Sequence, residues 1–288
     1  MTLSVVITTR NEADNIANCI HAFDAVRDRV EIIVVDNQST DATKAIAAEL
    51  GATVLDKGPE RCAQRNLGWQ MAKADWVIVL DADMILPAET IEEILAKTVP
   101  PPALGRGVAQ NGLEVPRPRA AGGTAQAYWI PEVRTGTGLR TKARNFERSF
   151  YDGTCIDALR LFHKSVLEAT GGYDENLIAG GEDWELDIRV LATGARCEVL
   201  KNPLIHNEKK LSLTRMLEKK AYYTQSMAAY QAKWKGHPAL KKQFGFSYRY
   251  FGVFVEKGKW KKLLRHPILA SVMYFERILV GFTYLCNR

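Results

Sequence analysis

The chain has 288 residues, 47% hydrophobic and 25% charged, enough for one large domain, or a domain with a substantial extension, and too apolar for a disordered protein. Its net charge of +6 hides a step: residues 201–288 hold 18 Lys/Arg against 4 Asp/Glu, while residues 1–200 hold 21 against 29. Five cysteines (Cys19, Cys62, Cys155, Cys197 and Cys286) are an odd number without Cys-x-x-Cys spacing, which argues against a disulfide framework and for free thiols in a reducing compartment.

Leu3 to Thr9 is β-branched and apolar and reads as a strand, followed by Arg10-Asn11-Glu12 and a helix with Ile16, Cys19, Ile20 and Phe23 on one face. The first residues run straight into that strand and lack a basic n-region ahead of an apolar signal core, so export is not expected. Val30 to Val35 repeats the buried-strand pattern, ends in Asp36, and passes through Asn37-Gln38-Ser39-Thr40-Asp41 into a helix that Gly51 caps. A short strand, Ala52 to Leu55, then Lys57-Gly58-Pro59, leads to a helix near Arg61 to Ala72. Trp76 to Leu80 is a continuous apolar run that reads as a strand buried on both faces, and it ends in Asp81-Ala82-Asp83. Strands alternating with helices at this spacing predict an α/β fold with a mostly parallel, doubly wound, Rossmann-like sheet and a ligand site where the strands end.

The residues at those strand ends narrow the chemistry. The turn Thr8-Thr9-Arg10-Asn11-Glu12 has no glycine to let a backbone approach a pyrophosphate, so the Gly-x-Gly-x-x-Gly of a dinucleotide-binding dehydrogenase is absent, as is the Walker pattern. Glu12, Asp36, Ser39, Asp41, Arg65, Asn66, Asp81 and Asp83 collect there instead, and acids and amides suit the hydroxyls and base edge of a nucleoside. Two acids one residue apart in a turn can share a divalent cation, directly or through its waters, and such a cation neutralises a diphosphate.

In this order, Thr8-Thr9-Arg10-Asn11-Glu12, Val34-Val35-Asp36-Asn37-Gln38-Ser39-Thr40-Asp41, Gln64-Arg65-Asn66-Leu67-Gly68 and Leu80-Asp81-Ala82-Asp83 resemble the nucleotide-sugar half of family-2 glycosyltransferases with the GT-A fold. The resemblance covers Met1 to about His206. It implies that Asp36 and Glu12 meet the nucleoside, with Thr8, Thr9, Asn11, Ser39, Arg65, Asn66 and Ala82 around the nucleotide sugar. It further implies that Asp83 is the principal metal ligand and that Asp81, also a metal candidate, lies against the ribose or donor sugar. Asn37 and Gln38 depart from the family's commoner Asp-Asp-Gly-Ser-Thr-Asp, which leaves base contacts less defined than metal contacts.

From Val99 to Gly123 the chain turns Pro-, Gly- and Arg-rich, a surface excursion with one short strand candidate at Gly112 to Val115. Ala127 to Pro131 reads as a strand, and Thr135-Gly136-Thr137-Gly138 opens a helix carrying Phe146, Phe150 and Tyr151, either an acceptor-facing lid or core. Leu159 to Phe162 is a further strand, followed by a helix that ends at Gly171-Gly172. Gly171-Gly172-Tyr173-Asp174-Glu175 and Gly180-Gly181-Glu182-Asp183-Trp184 resemble the acceptor half of the same family, with Trp184, Ile188 and Leu191 expected on the buried face of a helix and Glu182 and Asp183 in its first turn. Cys197 to Leu200 reads as a short strand, and His206 matches the family's place for a histidine that completes the metal shell; imidazole suits Mn²⁺ better than Mg²⁺.

Beyond Leu211 the chain reads as basic and helical, with Tyr222, Tyr223, Tyr230, Trp234 and Trp260 interleaved among Lys and Arg. Such a surface fits phosphates of nucleic acid, of lipid head groups or of a phosphorylated substrate; the sugar-transfer motifs favour an anionic membrane and no nucleic acid. Ile268 to Leu285 is apolar but holds Glu276 and Arg277 at its centre, so it suits an interface, or a partner subunit, rather than a span; a homo-oligomer stays open. The expected organisation is a nucleotide-sugar-binding half over 1–98, an acceptor-binding and catalytic half over 99–210 and a basic extension over 211–288. The expected enzyme is an inverting, metal-dependent hexosyltransferase using Mn²⁺ or Mg²⁺, with Asp183 as base and Glu182 next in line. It would act on a nucleoside-diphosphate sugar and a saccharide or lipid-linked acceptor, such as a polyprenyl carrier in envelope glycan synthesis, as a cytoplasmic protein peripheral at the inner face of the membrane. The absence of Gln-x-x-Arg-Trp argues for single transfers. Two alternatives are weaker: a sugar-phosphate nucleotidyltransferase lacks its Gly-rich N-terminal loop, and a catalytically silent membrane-surface module would not need Asp81, Asp83, Asp183 and His206.

Overall fold

The computed structural model describes residues 2–98, 125–177, 180–207 and 227–286, with side chains to 278; most of the Pro-rich excursion, the strand candidate at Gly112 to Val115 and the first part of the basic extension lie outside the described residues. Strands β1 (Leu3–Thr9), β2 (Val30–Asp36), β3 (Thr53–Asp56) and β4 (Trp76–Asp81) alternate with helices α1 (Ile16–His21), α2 (Thr43–Glu49) and α3 (Arg61–Met71). Then come β5 (Met84–Ile85), α4 (Ala88–Thr98), β6 (Ala127–Trp129), β7 (Glu132–Arg134), α5 (Leu139–Arg148), β8 (Leu159–His163), α6 (Lys164–Thr170), α7 (Glu182–Ala192), β9 (Cys197–Val199) and β10 (Leu204–His206). A helix over 227–233, α8, opens the described part of the extension. It is followed by α9 (Pro238–Phe244), α10 (Val253–Val255), α11 (Trp260–Arg265) and α12 (Pro267–Cys286).

Seven strands form one sheet in the order β3-β2-β1-β4-β8-β6-β9, in which only β8 runs against its neighbours, and β5-β10-β7 form a second, small sheet. This is the expected mostly parallel α/β architecture. Its cause is visible in β1, where alternate side chains serve two layers: Leu3, Val5 and Ile7 pack with Ile16, Cys19 and Ile20 of α1, while Val6 packs with Cys62 and Trp69 of α3. Burying each such aliphatic side chain contributes roughly 1.5–3 kcal/mol. Helix α3 lies so close to β1 that a Cβ on Gly68 would sit 2.2 Å from Val6 Cγ1, which gives the glycine of the Gln-Arg-Asn-Leu-Gly stretch a packing role.

Several elements differ from the expectation. Helix α4 was not among the expected elements, although Ile91, Ile94 and Leu95 follow a helical period and are buried, nor were β5 and β7, which are too short to show a period. Helix α7 does not bury Leu191, which is 51% exposed; its inner face holds Glu182, Glu185, Leu186, Asp187, Ile188 and Val190. The acids can face inward because each is partnered: Asp187 accepts from Trp129 Nε1 at 2.9 Å, and Glu185 pairs with Arg189 and Lys233. Phe146 and Phe150 are core, packed with Ile156, Val253, Phe254 and Met273. Helix α12 is not left to a partner subunit on that side: Glu276 pairs with Arg140 and Arg277 with Glu147, both on the chain's own α5.

Candidate active site

The parallel register sets the first part of the site. Thr9 lies opposite Asp36 and Thr8 opposite Asp81, so β1, β2 and β4 end together and place these side chains on one edge. Asp36 is buried and accepts from the backbone N of Ser39 at 2.6 Å and from its hydroxyl at 2.5 Å. Asn11, at φ 53°, donates its backbone N–H to Ser39 Oγ and accepts from Thr40 N, both at 2.8 Å. Glu12 donates its backbone N–H to Thr43 Oγ1 at 2.8 Å, and its carboxylate accepts from Asn15. The two loops are thereby joined into one rim. The Thr9 hydroxyl is buried without a hydrogen bond among the described residues.

The second part is an ion cluster built by α3 and the start of α7. Arg61 and Arg65 stand four residues apart, on one helical face. Arg65, fully buried, reaches Asp183 Oδ1 at 2.7 Å, Asp81 Oδ1 at 3.3 Å and Glu182 at 3.9 Å, and its guanidinium lies 5.0 Å from the centre of the Tyr173 ring. Arg61 lies 3.7 Å from both Asp81 and Glu182. Burial alone would raise the Asp81 pKa, but Arg61 and Arg65 outweigh it and hold the carboxyl well below its usual range, with a 3.0 Å hydrogen bond from Thr8 assisting. Glu182 goes the other way: burial and the neighbouring Asp183 raise its pKa despite the two arginines. Gly181 opens α7 at φ 90°, and a Cβ there would meet the Tyr230 ring at 3.1 Å, so α8 presses directly on the turn that presents both acids.

The third part is made by the small sheet. Antiparallel pairing of β5 with β10 brings His206 beside Met84, and His206 Nε2 lies 3.0 Å from Asp83 Oδ2. Its Nδ1 lies 2.8 Å from Glu132. Burial lowers the His206 pKa, but the bonds to Asp83 and Glu132 reverse this and raise it to about 10. Carboxylate oxygen with imidazole nitrogen is a donor set that fits Mn²⁺ and, less well, Mg²⁺. Among the described residues no group of three His, Cys, Asp or Glu is arranged to hold a metal.

The residues singled out from the sequence thus separate into groups. Thr8, Asp81, Arg65, Glu182 and Asp183 form one network, and Asp83 joins His206 in another. Asp81 is turned to the arginines, with no bond to His206. Ala82 is buried in the turn, its N–H bonded to Thr8 O at 3.1 Å. Asn66 is not with them: its amide bonds Tyr173 N and O, Glu175 and Trp69, which uses all four of its hydrogen-bonding positions within the protein. Arg61 and Glu132 escaped the sequence reading. Arg61 was legible from its four-residue spacing to Arg65, whereas nothing near Glu132 announced a role.

The family model described as glycosyl transferase family 2 matches residues 4–171. An uncharacterized glycosyltransferase of Rickettsia felis is 40% identical over 93 residues, 32% of each chain, so the match spans about a third of the relative's length. The mannosyltransferase PcManGT of Pyrobaculum calidifontis, solved in complex with GDP-Man and Mn²⁺, superposes with a TM-score of 0.57 at 18% identity, covering 100% of this chain and 81% of that one. Glucosyl-3-phosphoglycerate synthase of Mycobacterium tuberculosis, solved with Mn²⁺, UDP and glucosyl-3-phosphoglycerate, gives 0.53 at 17% identity, covering 80% and 79%. At these identities the two structures speak for the fold.

Proposed function

The chain belongs to glycosyl transferase family 2 and is a glycosyltransferase, and from that premise we propose that it moves one sugar at a time, with inversion, from a nucleoside diphosphate to a hydroxyl of a saccharide or lipid-linked acceptor. The observation that carries this reading is buried Arg65, which holds Asp183 at 2.7 Å and Asp81 at 3.3 Å, next to the turn that presents Asp83. Asp183 takes the proton of the acceptor hydroxyl while that oxygen attacks the anomeric carbon. The bond from that carbon to the diphosphate breaks, and the diphosphate leaves with the electron pair. Arg65 engages Oδ1 of Asp183 and so orients the base with Oδ2 kept for the acceptor. Glu182 sits beside the base within ion-pair distance of Arg61 and Arg65. Asp36 and the joined rim of Asn11, Glu12 and Ser39 receive the nucleoside. Asp83 and His206 would hold a divalent cation, Mn²⁺ or Mg²⁺, which when bound neutralises the leaving diphosphate. The Mn²⁺ in the complexes of the two structural neighbours supports this part of the reading.

The acceptor side and the location belong to the same proposal. On and beside α11, Trp260, Leu264 and Ile268 are 47%, 71% and 69% exposed, next to exposed Lys257, Lys261 and Arg265. Apolar side chains alternating with cations suit the surface of an anionic bilayer, which would bring a lipid-linked acceptor to a peripheral enzyme on the cytoplasmic face. Among the described residues no helix is long and apolar enough to cross a membrane.

The reaction is tested with Asp183→Asn, which keeps shape and removes basicity. Transfer should fall about 10²-fold or more, with GDP or UDP affinity largely kept. Transfer at the parent rate would shift the base to Glu182.

A further inference from the structure

Glu132 is a carboxylate on a three-residue strand, its side chain only 10% exposed, at a position where a β-branched or aromatic side chain would suit the sheet better. Its two oxygens are divided between two partners. Oε1 lies 2.8 Å from His206 Nδ1, and Oε2 lies 3.7 Å from Arg148, which in turn bonds Asp157 at 2.7 Å. The parallel pairing of β7 with β10 sets Glu132 opposite Leu204, two residues before His206 and on the same face of the pair, which makes the contact possible.

We infer that Glu132 is a positioning residue for the metal pair, keeping a proton of His206 on Nδ1, so that Nε2, which donates to Asp83 in the metal-free protein, can release its proton and turn its lone pair to a cation. The inference rests on the metal reading above and deepens it. A histidine whose far nitrogen donates to a carboxylate has its ring orientation and tautomer fixed and is a more basic ligand, and loss of such a partner lowers metal affinity about 10–100-fold. Arg148 and Asp157 hold Glu132 from behind, so its carboxylate does not have to be ordered when a metal binds. The plainer view is that Glu132 merely neutralises Arg148; that role would affect folding and leave metal affinity alone.

The test is calorimetric titration of Mn²⁺ into the full chain with GDP or UDP present, for the parent and for Asp83→Ala, His206→Ala, Glu132→Gln and Glu132→Ala. Asp83→Ala and His206→Ala should abolish binding. Glu132→Gln should raise the Kd for Mn²⁺ about 10-fold, because the amide oxygen still accepts from Nδ1, and Glu132→Ala up to about 100-fold. The Mn²⁺ concentration for half-maximal transfer should rise in parallel, with kcat recovered at saturating Mn²⁺ and the metal-free Tm of Glu132→Gln near that of the parent. Parent-like Mn²⁺ affinity in the Glu132 variants, with Asp83→Ala and His206→Ala inactive in binding, overturns the inference and leaves the metal reading intact. No Mn²⁺ binding by the parent removes both. Should Glu132→Ala fail to fold, the isosteric Gln variant decides.

Discussion

At the strand ends, Arg61, Arg65, Asp81, Glu182 and Asp183 crowd within ion-pair distance, with Arg65 fully buried, whereas around α11 the large apolar side chains of Trp260, Leu264 and Ile268 stand in solvent beside exposed Lys257, Lys261 and Arg265. Each region inverts the usual placement of its residue type. Burying ions costs desolvation and exposing apolar surface forgoes burial, so neither arrangement is chosen by folding alone. They differ in where compensation comes from. The cluster at the strand ends finds its counter-charges inside the chain, while Trp260, Leu264 and Ile268 stay exposed among the described residues, and the cover proposed for them is an anionic bilayer.

The largest expected effect breaks the first half of this contrast. Arg65→Met keeps length and removes the buried charge, taking from Asp183 its 2.7 Å partner while Arg61 still faces Asp81 and Glu182, and should lower stability by about 3–5 kcal/mol in urea denaturation. A loss below about 1 kcal/mol would mean that the cluster is not internally compensated. A smaller effect sharpens it: Gly68→Ala pushes a Cβ to 2.2 Å from Val6 Cγ1 and should cost about 1–3 kcal/mol by moving α3, with Val6→Ala in the same chain restoring part of the loss. The smallest effect concerns the exposed surface. Lys261→Gln should weaken binding to vesicles containing anionic lipid by about 1 kcal/mol, roughly fivefold, and added salt should narrow the difference from the parent. Equal binding of the parent to neutral and anionic vesicles would remove the proposed membrane partner.

The sequence was most readable where local pattern and tertiary role coincide. Trp76 to Leu80 is apolar without interruption because β4 is covered on both faces, so the strand, its end and Asp81 could be read together. The acids of α7 were found for a similar reason, as a charged start to a helix. The face of α7 was misread because Leu191 looks like a core residue while the actual inner face carries Glu185 and Asp187, whose partners Lys233 and Trp129 lie far off in sequence. The small sheet was invisible for the same cause in stronger form. Asp83 and His206 are 123 residues apart, and the strands that bring them together are two and three residues long. Glu132 could not be singled out until that sheet was known.

The contact of Tyr230 with Gly181 bears on how this protein can be dissected. Tyr230 bonds Gln243, Gln243 bonds the carbonyl of Cys155, and Lys233 bonds Asp174 and Glu185. The segment that follows residue 226 is therefore wired to both ends of the helix start that carries Asp183. Cutting the chain there to obtain a soluble fragment would detach a surface and slacken the turn that presents Asp183 in one stroke, and a dead fragment would say nothing about lipid. Point changes at Trp260, Lys261 and Leu264, which stand outside that wiring, are the cleaner instrument.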